Sequence, residues 1–276
     1  MSGERAGRWT CCFLVLSLPF LFSQTGRPDQ AIWKGGRGNY AIEWSVSALR
    51  ATRSDTNQIA FDARSDAEAA WARIVERSKG ASLKAEFTYR LLSVMGSFLT
   101  IEEGEYCDCG GAHPTELKKF RAIQLDRSMF NAPVAASLTE LFPSQTIFKA
   151  LVADSLVHRA LGSDAVPGSL NELLEQLGDQ TVKVGECEYS FSRDLMGSFA
   201  LYSIQDDKVL VRLGLPSAVE SCRGRLTQIG ITLAVSEANR ASFSIEKNSH
   251  ERLLMADAEQ IPRSKLTSFS FSQSHR

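Results

Sequence analysis

The stretch "KAEFTYRLLSVMGSFLTIEEGEYCDCGGAHPTELKKFRAIQLD", residues 84–126, decides the fold. Two β-rich segments, 84–109 and 118–126, bracket a short run in which two cysteines, two glycines and a His-Pro pair fall within ten residues, Tyr106 to Thr115. Gly110 and Gly111 therefore sit in a hairpin-like connection and not at the mouth of a helix. A phosphate-cradling loop needs a helix N-terminus immediately behind its glycines, and "HPTELKKFRAI" supplies neither that spacing nor a Lys-Ser/Thr ending. Nucleotide binding is not expected on this ground.

Outward from this segment the chain shows further strand patterns and separate helical ones. In "YAIEWSVSAL" Tyr40, Ile42, Trp44 and Val46 fall on one side of a half-buried strand. Residues 65–80 read as a helix capped by Ser65 or Asp66 and closed by Gly80, with Trp71, Ile74 and Val75 on one stripe. Downstream, a turn of helix breaks at Pro143. A longer helix capped by Ser144 follows over 145–161, with Ile147, Phe148, Leu151, Val152 and Leu156 facing inward and His158 near its end. "PGSLNELLEQLG" adds a shorter helix in which Ser169 and Glu172 form a capping box and Gly178 the stop. The later third is strand-rich, with a turn at Asp206-Asp207. Strands with segregated helices predict an α+β fold, a mixed or antiparallel sheet with a few helices on one face, stapled by disulfides. The polar, Ser-rich segment after about residue 247 reads as a flexible tail.

The first residues set the compartment. Arg5 and Arg8 precede an almost wholly apolar run, Trp9 to Phe22, followed by "SQTGRPDQA". This is the layout of a secretory signal peptide spanning 1–25, and the run is shorter than the about 20 residues a helix needs to cross a bilayer. An uncleaved anchor is the alternative. The remaining chain divides into a strand-helix part at 26–83, a main domain at 84–235 and a C-terminal strand and tail at 236–276. Of 31 basic and 32 acidic residues, removing Glu4, Arg5 and Arg8 leaves 29 and 31, a formal charge of −2. That balance gives no reason to expect nucleic acid or an acidic membrane surface. A periplasmic or extracellular protein, with no stable membrane span after signal cleavage, is expected.

Export gives the cysteines a meaning. Without Cys11 and Cys12, four remain: Cys107, Cys109, Cys187 and Cys222. An even number in an oxidising compartment reads as disulfides. A bridge across one intervening residue closes a strained ring, so Cys107 and Cys109 are each expected to reach Cys187 or Cys222, in either order. The loops so closed, about 80 to 115 residues, are worth about 4 to 5 kcal/mol each by chain entropy.

Metal binding, nucleophilic and hydrolytic chemistry compete with that structural reading at the motif. Cys107, Cys109 and His113 offer three metal ligands, but C-x-C-x3-H departs from the usual zinc spacing and only His158, His250 and His275 remain to complete a site. No metal and no cofactor is expected. A Cys-His nucleophile is the sharper alternative. There is no G-x-S-x-G elbow and no H-E-x-x-H helix, and Glu102, Glu103 and Glu105 read as a solvated strand end.

With Tyr106, Gly110, Gly111, Ala112, His113, Leu125, Asp126, Leu138, Leu141 and Phe142 in this order, the chain resembles a bacterial extracytoplasmic family. It is the uncharacterised domain that forms the outer portion of RsiV-type anti-sigma factors and accompanies PdaC-type peptidoglycan deacetylases. The likeness covers 84–235. It implies an α+β domain outside the cytoplasmic membrane without intrinsic catalysis, binding a cell-wall-active protein or cell-wall glycan. The chain departs from those proteins in showing neither the deacetylase Asp-His-His site nor a sigma-binding segment ahead of the apolar run. The reading is an exported envelope binding or sensing module, with Tyr106, Gly110, Gly111 and His113 as ligand-binding candidates and no catalytic residues. The alternative is an envelope glycan or peptidoglycan hydrolase or transferase using His113 and nearby carboxylates.

Overall fold

A four-stranded antiparallel sheet in the order β13-β5-β6-β7 divides the molecule into two cores. Its strands are β5 (Leu83–Met95), β6 (Phe98–Asp108), β7 (Thr115–Gln124) and β13 (Thr267–Gln273). The computed structural model describes residues 30–78, 82–129, 132–162, 165–237, 243 and 253–274. The leader, Gly80, His250 and His275 lie outside the described residues.

Strand alternation builds the two cores. Ala85, Phe87, Tyr89 and Leu91 of β5, with Ile101 and Cys107 of β6, point to one face. There they meet Trp44 and Phe61 from a second antiparallel sheet made of β1 (Ala31–Arg37), β2 (Tyr40–Ser45), β3 (Leu49–Arg53) and β4 (Ile59–Asp62). Helix α1 (Ala63–Arg77) adds Ala63, Ala67 and Ala70. On the other face Leu92 and Phe120 pack with Ala200 and Met255, and Met95 and Ala122 enter a larger core. That core is covered by a third sheet, β10 (Phe199–Gln205), β11 (Lys208–Pro216) and β12 (Leu226–Ala234), and by helices α2 (Ser144–Val152), α3 (Ser155–Leu161) and α4 (Leu170–Leu177). A two-stranded ribbon, β8 (Thr181–Val184) with β9 (Cys187–Ser190), a short α5 (Met255–Ala258) and three single turns of 3-10 helix at Leu138–Glu140, Leu195–Gly197 and Glu220–Cys222 complete the described elements. Where β11 crosses the central sheet, a side chain at Gly214 would come within 3.0 Å of the Phe120 ring, so the close approach requires glycine. The α+β class is as the sequence predicts.

Several local expectations shift. Helix α1 starts two residues early because Asp62 caps it, accepting the Ser65 amide at 3.0 Å. The helix expected over 145–161 is two helices, since Asp154 turns the chain out of α2 and caps α3 by accepting from Leu156 and Val157. Ser169 caps α4 as expected, but Glu172 reaches back to the amide of Gly168, one residue beyond the cap. Residues 267–273 of the segment read as a flexible tail form β13, paired with β5 from Thr267↔Tyr89 to Gln273↔Leu83.

The cysteine pairing differs most. Cys187 is bridged to Cys222, and Cys107 is paired with Cys109. The sheet itself is the reason. Cys107 faces the core under α1, whereas Cys187 and Cys222 belong to the core on the opposite face. As residues i and i+2 at a strand end, Cys107 and Cys109 share a face, and their Cα atoms are 5.3 Å apart, within disulfide range.

Candidate functional site

The Gly-Gly-Ala-His turn is the tip of the β6–β7 hairpin. Gly110 has φ of +82°, a conformation that disfavours any side chain. Gly110, Gly111, Ala112 and His113 are all exposed, so His113 stands out from the tip and is not tucked beneath it. The tip is braced from the side by a loop next to Cys222. The Arg223 guanidinium donates to the Pro114 carbonyl, and the Gly224 amide donates to the Glu116 carbonyl at 3.2 Å. The hairpin is thus fastened to the Cys187–Cys222 region by hydrogen bonds where covalent links were expected.

Tyr106 stands beside this brace. The strand register aligns Glu86, Tyr106 and Glu116 in one row across β5, β6 and β7, and Thr88, Gly104 and Lys118 in the next. Together they line an open groove of about 260 Å³ on the sheet face. A side chain at Gly104 would collide with the Thr88 hydroxyl, so bare β6 backbone forms part of the floor. Tyr106 is 41% exposed, a large aromatic ring held on a rigid strand with a carboxylate in register on either side. The row offers carboxylate acceptors, a lysine donor and one apolar ring face to a ligand.

The acidic cluster of the sequence does not act as one group. Glu103 faces α1 and is only 7% exposed. Its carboxylate is 3.3 Å from Arg121 Nε and 3.8 Å from Lys119 Nζ. Arg121 also donates to Asp66 of α1 at 2.8 Å, and the Tyr89 hydroxyl donates to the same oxygen at 3.0 Å. Burial, reinforced by Asp66 and Glu103 and opposed by Arg121, holds the Tyr89 phenol above its ordinary pKa of 10.0. Burial disfavours the Arg121 charge, yet Glu103 and Asp66 outweigh it and raise its pKa. This network joins α1 to the sheet. The sequence reading missed it because Asp66 is distant in the chain, although Arg121 and Glu103 both fall at inward positions of their strands. Glu103 lies roughly 13 Å along β6 from Cys107, so it is not brought to His113. Among the described residues, no group of three or more His, Cys, Asp and Glu side chains is placed to hold a metal ion, and no helix is long and apolar enough to cross a membrane.

No family model, curated protein or solved structure matches the chain. The chemistry of the groove and hairpin therefore rests on their own residues.

Proposed function

We propose that this protein is an exported cell-envelope binding module without catalysis of its own, and that its ligand is a cell-wall glycan lying across the Tyr106 groove. The leader pattern of residues 1–25 and the paired cysteines support export. The observation that carries the binding reading is Tyr106 itself, exposed in a groove between Glu86 and Glu116. A saccharide ring has an apolar face that stacks on an aromatic side chain and hydroxyls that donate to carboxylates. A protein partner of ordinary stability would cover about 800 Å² per side around an apolar centre, whereas this groove is far smaller, and its apolar surface is flanked by the carboxylates of Glu86 and Glu116 and by Lys118.

The test is calorimetric titration of the mature protein and its Tyr106→Ala variant with soluble peptidoglycan fragments. Binding by the wild type, weakened at least about tenfold in the variant with unchanged thermal unfolding, is the expected result. Equal affinity of the two proteins, or no binding to any fragment, would overturn the assignment.

A further inference from the structure

The pairing of Cys107 with Cys109 has little structural value as a staple. One residue separates them, so the link removes far less unfolded-chain entropy than the Cys187–Cys222 bridge, with its separation of 35. A crosslink across one residue also closes a strained ring, and strained or exposed disulfides are the labile and reactive ones. The two sulfurs differ in access. Cys107 is 2% exposed and packs in the core under α1. Cys109 is half-buried at the base of the tip and is followed by two exposed glycines that have no side chain to shield it. By contrast, Cys187 and Cys222 are both buried.

We propose that Cys107 and Cys109 form a redox-active disulfide that exchanges with dithiols in peptides or proteins. A substrate thiolate attacks Sγ of Cys109. The Cys107–Cys109 bond breaks, its electron pair stays on Cys107 Sγ, and that thiolate takes a proton from water. The second substrate thiolate then attacks the substrate sulfur of the mixed disulfide and expels Cys109 as a thiolate, which is protonated in turn. The substrate is oxidised from dithiol to disulfide, and the cysteine pair is reduced by the same two electrons. Cys109 is the attacked atom because it is the accessible one. Cys107 is the leaving thiol, held next to Cys109 by the β6 backbone. This activity is independent of ligand binding at Tyr106.

The experiment equilibrates the full-length exported protein in glutathione buffers of graded ratio, traps free thiols by alkylation and maps them by mass spectrometry. The Cys107–Cys109 pair is expected to be reduced with an equilibrium constant at least about tenfold above that of Cys187–Cys222, a difference of about 30 mV. In a second measurement, a reduced synthetic peptide carrying two cysteines should be oxidised stoichiometrically by the wild type. The Cys107→Ser/Cys109→Ser variant should not oxidise it, and its intact Cys187–Cys222 bridge and thermal unfolding report that it is folded. Equal resistance of the two bridges would overturn the proposal, as would peptide oxidation no faster than with the double variant. So would mapping of Cys107 or Cys109 to another cysteine or as a free thiol in the oxidised protein.

Discussion

The Gly224 amide donates to the Glu116 carbonyl at 3.2 Å, and this one bond closes the open edge of β7 beside the hairpin tip. Gly224 has φ of +66°, and a side chain there would run into Glu116. Gly224→Ala should therefore strain the backbone and displace the loop, at a cost of about 1 to 2 kcal/mol. Arg223→Ala removes the donor to Pro114 and should cost about 1 kcal/mol. Both variants should raise hydrogen exchange at residues 109–117 well beyond their effect on the rest of the sheet. Exchange rates there equal to wild type would show that the hairpin is rigid without its brace.

The Cys187–Cys222 bridge joins the first residue of β9 to the loop that supplies this brace. Its separation of 35 residues corresponds to about 4 kcal/mol of unfolded-chain entropy. Replacing both cysteines with alanine should lower the unfolding free energy by an amount of that order, read from urea denaturation, and should loosen the hairpin tip as Arg223→Ala does. A loss below about 1 kcal/mol would mean that packing of the two buried side chains already fixes the loop.

The cysteine positions show where the sequence was legible and where it was not. That Gly110 and Gly111 lie in a hairpin followed from the alternation on either side of them, because strand period is a local property. Which cysteine meets which depends on which face of the sheet each occupies, and that is set by packing of segments far apart in the chain. The same holds for Asp66, Tyr89, Glu103 and Arg121. Each is ordinary in its own segment, and the bonds of Tyr89 and Arg121 to Asp66 exist only because α1 packs on the sheet. The split between α2 and α3 was readable, since Asp154 followed by Ser155 is a capping signal inside an apolar stripe.

Tyr89 gives the network a signature in pH. Its hydroxyl donates to Asp66 at 3.0 Å, and burial keeps it protonated above the ordinary phenol value of 10.0. Below about pH 10 the folded and unfolded chains both hold this proton and the contribution is present in full. Above it the unfolded chain releases the proton while the folded chain retains it, so stability falls as pH rises, by up to about 1.4 kcal/mol per pH unit. Tyr89→Phe should cost about 1 kcal/mol at pH 7 through the lost hydrogen bond, yet show a shallower decline between about pH 10 and 11. Urea unfolding across that range provides the measurement. Parallel declines for the two proteins would mean that Tyr89 ionises as freely in the folded chain as in the unfolded one.

Strand β13 tests the composition argument most directly. Its serines suggested a flexible tail, but the period of two places Thr267 and Phe269 on the buried face and Ser268 and Ser270 outside. Phe269 is 5% exposed, lies 6.1 Å from the Tyr89 ring and carries the Arg64 guanidinium 4.8 Å above its centroid. Phe271 stacks on Trp71 at 5.8 Å, and the Thr267 hydroxyl donates to the Ser45 carbonyl at 2.6 Å. A few well-placed aromatic side chains thus offset the low apolar content. Phe269→Ala should destabilise the protein by about 3 kcal/mol, whereas Ser270→Ala on the exposed face should fall within about 0.5 kcal/mol of wild type. Ending the chain after Leu266 would also leave β5 as an unpaired edge along Leu83–Tyr89, which favours association through free backbone groups. The truncated protein should melt well below wild type and sediment as concentration-dependent aggregates. An unchanged melting temperature and a monodisperse profile would mean that β13 adds nothing to the central sheet.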